Sequence, residues 1–199
     1  MAEIELKAHA GNYRECKKRL EAIAGVAVAI SKDDTYWLAP GVLHYYSGPR
    51  VRQETAGNSV KTLVTWKNKQ KVNGIEVNDE HELEVSDKKV FEELLVQLGL
   101  EKQIEKHKEG WAWQYSGITA ELCKVSGAVR KNPKKTGAAK KGRIKNLGWF
   151  LELEIISNED SKAAVALTRK KLLTLLAKAG IDEGDLESRY YAEMLGTEI

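Results

Sequence analysis

The sequence contains few of the residues that build disulfide frameworks, zinc sites or membrane spans. Of its 199 residues only Cys16 and Cys123 are cysteines, which excludes a disulfide framework and a CxxC-type zinc site. No apolar run approaches the roughly 18 residues of a membrane-spanning helix, and the charged, alternating N-terminal residues are unlike a secretory signal peptide. Because 42% of the residues are hydrophobic and 31% are charged, we expect a soluble, cytoplasmic protein without a membrane partner.

Familiar phosphate-binding and nucleophile motifs are also missing. The chain has no GxxxxGK[ST] loop, no GxGxxG fingerprint and no nucleophile elbow. These absences exclude a P-loop enzyme, a dinucleotide-binding domain and a serine hydrolase of the common type.

Positive charge is concentrated in one segment, residues 128–146. It contains eight lysines and arginines and no acid, although the whole chain has a formal net charge of only +3. Pro133, Gly137 and Gly142 interrupt it, and little in it could pack. We interpret it as a solvated basic insertion in a single domain spanning 1–199. Two alternatives stay open: binding of nucleic acid or an anionic surface, and steering of an anionic substrate.

Hydrophobic periodicity predicts three helices and many strands. The helices are expected at about 12–24, at 86–98, and from a capping box at Ser157 and Asp160 to Gly180. Strands are expected near 3–9, 27–37, 42–47, 49–55, 60–67, 79–85, 104–115, 117–125 and 147–156. Eight or nine antiparallel strands with three helices indicate an α+β fold, and so many strands favour a closed barrel.

Five of the predicted strands carry charges of like sign at positions i and i+2. The pairs are Glu3 and Glu5, Arg50 and Arg52, Glu82 and Glu84, Lys106 and Lys108, and Glu152 and Glu154. On a strand such residues share one face about 7 Å apart, where like charges repel without stabilising the fold. One such strand is explained by a face turned to water. Five strands with charges of both signs indicate an interior that binds a charged ligand.

The closure of the barrel would bring the first and last of these strands together. Their four carboxylates would then converge, which suits a hard divalent cation such as Mg²⁺ or Mn²⁺. The paired arginines and lysines would line the same interior. A cavity with a carboxylate-bound metal and many cations fits a triphosphate.

The same residues resemble the motifs of the CYTH superfamily, also called triphosphate tunnel metalloenzymes. Residues Glu3 to Lys7 are similar to the ExExK signature near the N-terminus of that family. Further similarities follow in order: Asp34-Thr35-Tyr36, Arg50-Val51-Arg52, Thr65-Trp66-Lys67, Glu82-Leu83-Glu84, Lys106-His107-Lys108, the run from Leu147 to Glu154, and Ser188-Arg189-Tyr190. The resemblance covers the chain apart from the basic insertion. It implies a closed eight-stranded antiparallel β-barrel, the triphosphate tunnel, flanked by helices.

The resemblance also implies roles for individual residues. Mg²⁺ or Mn²⁺ would be bound by Glu3, Glu5, Glu82, Glu84, Glu152 and Glu154. Phosphates would be held by Arg50, Arg52, Lys67, Lys106, Lys108 and Arg189. Lys7 would polarise or deprotonate the attacking group. Where the family usually has an aspartate this chain has Cys123, and Glu121, two residues earlier on the same face, is the candidate replacement.

The implied activity is metal-dependent chemistry on a triphosphate: ATP, thiamine triphosphate or tripolyphosphate. The order of the segments looks closest to the class IV adenylyl cyclases, which convert ATP to cyclic AMP and pyrophosphate. A triphosphatase is the first alternative, because it would use the same metal and phosphate residues. A module that binds a triphosphate without turnover is the second, given Cys123. We expect no nucleic-acid partner outside the basic insertion, and a homodimer stays open.

Overall fold

The computed structural model describes residues 2–40, 42, 48–72, 75–130, 142–159 and 161–196. The strands are β1 (Ala2–His9), β2 (Val28–Leu38), β3 (Arg50–Ala56), β4 (Ser59–Val72), β5 (Ile75–Glu84), β6 (Glu101–Tyr115), β7 (Ile118–Val129) and β8 (Lys145–Ser157). The helices are α1 (Tyr13–Ala24), α2 (Lys88–Gln97), α3 (Lys162–Lys178) and α4 (Tyr191–Gly196). All strand pairings are antiparallel, and the barrel closes in the order β1-β5-β4-β3-β2-β6-β7-β8. The predicted fold class is confirmed.

The element boundaries differ from the sequence patterns at three strands and at α3. The strands β4 and β7 continue to Val72 and Val129, beyond the predicted ends at 67 and 125, and β5 begins at Ile75, before the predicted start at 79. Ser161, not Ser157, is the N-cap of α3, and its side chain accepts a hydrogen bond from the backbone N–H of Ala164. The expected start at Ser157 is therefore wrong. Because β8 continues to Ser157, that hydroxyl instead bonds the backbone of Glu159 in the following turn. The predicted strand at 42–47 lies outside the described residues apart from Val42, and so do residues 131–141 of the basic insertion, which connects β7 to β8.

The hydrophobic core lies on the outside of the barrel. Apolar residues of β1, β7 and β8 pack against α1 and α3; the fully buried members include Ile4, Leu20, Leu122, Leu151, Leu153, Leu172 and Leu176. On another side, Leu95 of α2 packs against Trp37, Val51 and Val64. Because side chains alternate along a strand, the polar residues next to these outward-facing apolar residues face the interior of the barrel.

The short helix α4 packs across one end of the barrel. Tyr191 and Met194 contact Val125 and Phe150 there. Gly127 makes room for this packing, because a Cβ atom at this position would lie 2.7 Å from a side-chain carbon of Leu195.

The chain that leads into α4 is held along β1. The N–H of Glu187 donates to the carbonyl of Lys7 at 2.8 Å, and Leu186 forms a β-bridge with Ala8. The other three helices pack on the sides of the barrel, so no helix among the described residues covers the opposite end. None of the described helices is both long and apolar enough to cross a bilayer.

Candidate active site in the barrel interior

The barrel encloses a cavity of about 540 Å³, which we call the tunnel. Nine described acidic residues line it: Glu3, Glu5, Glu54, Glu76, Glu80, Glu82, Glu121, Glu152 and Glu154. Seven basic residues do so as well: Lys7, Lys32, Arg50, Arg52, Lys67, Lys106 and Lys108. The volume is in the range of small-molecule sites. Such a lining suits a ligand with several charges.

Acidic and basic side chains are concentrated on opposite walls of the tunnel. Strands β8, β1 and β5 are neighbours in the barrel, and β3, β2 and β6 are neighbours on the far side. On the first wall Glu5 pairs in register with Glu154 on one side and with Glu76 on the other. On the second wall Lys32 and Lys108 occupy facing positions on β2 and β6. We call these the acidic wall and the basic wall.

Three carboxyl groups on the acidic wall have too little positive charge near them to favour their ionised form. The pKa of Glu3 is raised to about 9 by burial, by a hydrogen bond with Glu80 and by the charges of Glu5 and Glu154. The charge of Lys67 lowers this pKa but does not outweigh these effects. Burial and the charges of Glu152 and Glu76 raise the pKa of Glu5 to about 8. Burial also raises the pKa of Glu154. Crowded carboxyls of this kind are stabilised in their ionised form by a cation.

The donor set on this wall fits a hard divalent cation, which prefers carboxylate oxygens. Among the described residues, no three acidic, histidine or cysteine side chains already surround a common point. A cation would therefore have to draw Glu3, Glu5 and Glu154 together from their present positions.

Lysines hold Glu121 and Glu152, two further carboxylates of the tunnel. Lys108 contacts both Glu152 and Glu121, the latter at 3.1 Å, and Lys32 lies 2.5 Å from Glu121. Although burial acts in the opposite direction, Lys108 holds the pKa of Glu152 at about 2 and, with Lys32, also lowers that of Glu121. Glu121, the candidate replacement for the missing aspartate, therefore lies in the tunnel as a paired carboxylate.

Lys67 contacts one carboxyl group with a raised pKa and one with a lowered pKa. It contacts both Glu3 and Glu80. Burial alone would raise the pKa of Glu80, but the hydrogen bond with Glu3 and the charge of Lys67 lower it to about 2. Lys67 thus compensates part of the negative charge of the acidic wall from the neighbouring strand β4.

Asp34 organises the basic wall. It is 2% exposed, and its two carboxylate oxygens accept from Nε and Nη2 of Arg52 at 2.7 and 3.0 Å. Lys106 Nζ lies 2.9 Å from the same carboxylate and Arg50 Nη1 4.0 Å. Burial opposes ionisation, but these three cations hold the pKa of Asp34 well below its usual value. One buried carboxylate therefore fixes three cations at one place.

Lys7 lies where the acidic wall meets α4. Its Nζ is 3.5 Å from Oε1 of Glu76 and 4.6 Å from the ring centroid of Tyr191. Lys106 and Lys108 approach the same ring, at 5.0 and 5.9 Å. The aromatic ring thus gathers three ammonium groups at the covered end of the tunnel.

The structure brings together most of the residues predicted from the sequence. Those in the tunnel are Glu3, Glu5, Lys7, Arg50, Arg52, Lys67, Glu82, Lys106, Lys108, Glu121, Glu152 and Glu154. Two others lie elsewhere. The half-exposed carboxylate of Glu84 is 3.5 Å from Lys61, and the exposed Arg189 pairs with Glu187.

Several residues of the site have no role in the motif resemblance. Lys32, Glu76, Glu80 and Tyr191 line the tunnel, and Asp34 holds cations of the basic wall. The alternation of Lys32, Asp34 and Tyr36 would have indicated an inward polar face. Tyr191 gives no such signal, because α4 has only six residues.

Comparison with known proteins agrees with this architecture. No curated protein matches the sequence. Solved structures with the same fold include PH1819 from Pyrococcus horikoshii, with 21% identity, a TM-score of 0.73, and 97% of each chain covered. A proposed adenylate cyclase from Vibrio parahaemolyticus shares 16% identity, with a TM-score of 0.69 and 98% of each chain covered.

A third solved structure also has the same fold. HpAC1 from Hippeastrum, described as a proposed adenylyl cyclase with a dominant triphosphatase activity, shares 13% identity; its TM-score is 0.59, and 98% of this chain and 94% of that one are covered. The family profile of the CYTH domain matches residues 1–191. With this match over nearly the whole sequence and an eight-stranded charged tunnel, the chain belongs to the CYTH family.

Proposed function

We propose that the tunnel binds a triphosphate together with a divalent cation and hydrolyses its terminal phosphoanhydride bond. Proteins of the CYTH family typically act on triphosphates and generally depend on divalent metal ions. The observation that carries the proposal is the opposition of the two walls. The acidic wall suits the cation, and the basic wall suits the phosphate chain that the cation accompanies.

The charge balance supports a metal-dependent reaction. When all nine carboxyl groups are ionised, as a bound cation would favour, they outnumber the seven basic side chains of the described lining. One Mg²⁺ or Mn²⁺ held by Glu3, Glu5 and Glu154 would offset this excess of two negative charges. Glu152 and Glu82 lie in the same tunnel as further candidate ligands. When bound, such a cation neutralises phosphate charge and makes a coordinated water a better nucleophile.

The basic wall can hold the phosphate chain in a fixed position. Phosphate oxygens would replace carboxylates as partners of Arg50, Lys67 and Lys108, whereas Asp34 would continue to hold Arg52 and Lys106. Pre-placed donors of this kind stabilise charge that develops in the transition state. In hydrolysis, water attacks the terminal phosphorus, the bond to the bridging oxygen breaks, and the remaining diphosphate leaves.

We infer that Lys7 acts on the attacking group. Its Nζ lies at the covered end of the tunnel between Glu76 and Tyr191. From there it would donate a hydrogen bond to the attacking water or to an oxygen of the transferred phosphoryl group. This role stays compatible with either attack by water or attack by a hydroxyl of the substrate.

The aromatic lining favours hydrolysis over cyclisation. A cyclase must also hold a purine and its ribose, and purines are commonly held by stacking on aromatic faces. The described lining has three aromatic residues, Tyr36, Tyr190 and Tyr191. Lysine ammonium groups already lie 4.6–5.9 Å from the ring centroids of Tyr36 and Tyr191, which leaves few aromatic faces for a purine. The segment order of the sequence favours the second candidate, an adenylyl cyclase that forms cyclic AMP.

Product analysis separates these activities. The protein is incubated with tripolyphosphate, thiamine triphosphate or ATP, each with Mg²⁺ or Mn²⁺, and the products are separated by ion-exchange chromatography. Orthophosphate as the released product supports the triphosphatase, and the fastest reaction identifies the substrate. Cyclic AMP with pyrophosphate would establish the cyclase instead. Tight binding without any product would contradict both and support the binding module.

A matched pair of variants tests the site assignment in the same assay. Glu154→Gln removes a carboxylate from the acidic wall, and we expect turnover to be lost while the fold persists. Glu159→Gln removes an exposed carboxylate of the turn after β8 and should leave the rate unchanged. Full activity of the Glu154 variant would contradict the metal site.

A further inference from the structure

Asn78 is a buried amide without a partner beside the acidic wall. It is 0% exposed, and within the described residues neither its Nδ2 nor its Oδ1 has a hydrogen-bond partner. Buried amides are nearly always hydrogen-bonded, and leaving both ends unpaired is unfavourable. An apolar residue of similar size would avoid this cost, so the amide calls for an explanation.

The position of Asn78 relates it to the tunnel. On β5 it lies between Glu76 and Glu80, two residues from each, and therefore has the same facing as these two lining residues. Across to β1 its partner in register is Glu3. Asn78 is fully buried and is not itself part of the lining, so its amide does not reach the cavity.

The present partners of the neighbouring carboxyls explain why the amide is unpaired. Glu3 and Glu80 both turn to the ammonium group of Lys67. A divalent cation on the acidic wall would compete with Lys67 for Glu3, and a phosphate would compete with the carboxyls for Lys67. Either event frees a carboxylate oxygen next to Asn78.

We propose that Asn78 is a positioning residue for the metal site: in the loaded tunnel its Nδ2–H donates to the carboxylate of Glu3 and holds it toward the cation. This inference rests on the proposed function, because it assumes a cation at Glu3. Groups that orient a metal-binding carboxylate commonly determine metal affinity although they do not touch the metal. The amide that is unpaired in the metal-free tunnel then gains its hydrogen-bond acceptor when the cation binds.

The test compares metal affinity with metal-free stability. Mn²⁺ binding to the full chain is measured by electron paramagnetic resonance and calorimetry for the native protein and for Asn78→Leu. We expect the Kd for Mn²⁺ to rise about 10–100-fold, while the Tm of the metal-free protein stays the same or increases, because an unpaired amide has been removed. A purely structural role would lower the Tm and leave the affinity of the folded protein unchanged.

Two further variants keep the result interpretable. Asn78→Ala tests the same donor if the leucine does not fit, with the same expected loss of affinity. Asn68→Leu is the matched control, because Asn68 is exposed on β4 and bonds Asp79 at 3.3 Å; its Mn²⁺ affinity should be native. Native affinity in a folded Asn78 variant would overturn the inference. Absence of Mn²⁺ binding and turnover in the native protein would instead overturn the proposed function.

Discussion

Asp34 and Arg52 form a two-point ion pair inside the barrel, and the same carboxylate also holds Lys106. Both cations line the tunnel, where Nη1 of Arg52 also lies 3.7 Å from Oε2 of Glu54. The basic wall is thus assembled before any ligand arrives, and its assembly depends on one residue that would never touch the ligand. Preorganisation of this kind avoids the cost of arranging cations during the reaction.

The role of Asp34 leads to a stability prediction. Asp34→Asn keeps the size of the side chain but leaves Arg52 and Lys106 without their buried counter-charge. Breaking a buried ion pair in this way costs about 3–5 kcal/mol, so we expect the urea midpoint to fall clearly. Addition of tripolyphosphate should restore part of the loss, because phosphate supplies negative charge at the same place. A native midpoint would contradict the structural role.

Lys108 is predicted to contribute directly to turnover, in addition to stabilising the buried carboxylates that it contacts. It is 3% exposed and contacts Glu121 and Glu152, where phosphate oxygens are proposed to replace carboxylates. Lys108→Met should lower kcat with tripolyphosphate by about 10²–10³-fold, the usual effect of losing one donor to a developing charge. Lys124→Met changes a residue of β7 outside the described lining and serves as the control. Equal rates in both variants would exclude Lys108 from the site.

Tyr191 is predicted to limit the length of the phosphate chain. Its ring closes the tunnel at α4, next to Lys7 and Lys106. Tyr191→Ala would lengthen the cavity, and we expect the preference for tripolyphosphate over tetrapolyphosphate, measured as a ratio of kcat/KM values, to fall about tenfold. Tyr191→Phe keeps the ring and should keep the native ratio. An unchanged ratio in a folded alanine variant would show that the chain does not reach this end.

Glu187 gives the fold a dependence on pH. Its carboxylate accepts hydrogen bonds from Arg189 Nη2 at 2.6 Å and from the Arg189 backbone N–H at 2.9 Å, and it contacts His9. The bond with the Arg189 side chain, against a smaller effect of burial, lowers the pKa of Glu187 from 4.5 to about 2. Because this pKa is depressed, the stabilisation is complete above about pH 4.5 and is lost as the pH falls toward 2.

The matching experiment follows Tm against pH. At pH 7, Glu187→Gln should melt about 2–4 °C below the native protein, since the chain leading to α4 is held less firmly. The difference should shrink steadily between pH 4.5 and pH 3. Glu183→Gln, in the turn before this segment, is the control. A difference that does not change with pH would show that the charge of Glu187 is not responsible.

The sequence predicted the faces of the strands better than it predicted individual contacts. Glu3, Glu5 and Lys7 share an inward face because side chains alternate, and the pairing of β1 with β8 that places Glu5 beside Glu154 follows from barrel closure. The short motifs were less reliable guides. Arg189 matches a motif, but Glu187 two residues earlier offers it a local partner outside the tunnel.

Partner choice inside the tunnel could not be predicted from alternation. Glu82 and Glu84 have the same facing, yet Glu84 is at the last position of β5 and reaches the exposed Lys61. The contacts of Glu3 with Lys67 and of Glu121 with Lys32 join residues 64 and 89 positions apart. Such contacts depend on the tilt and stagger of the strands, which the local sequence does not encode.

The position of α4 also has a kinetic consequence. If one end of the barrel is blocked, substrate enters and products leave through the same open end of the tunnel. The group that enters first is then the last to leave. If a triphosphate enters with its terminal phosphoryl group first, cleavage would place orthophosphate deeper in the tunnel than the larger product. Orthophosphate would then be the last species to escape and should compete with fresh substrate for the empty protein. The six residues of α4 would in this way set the order of product release.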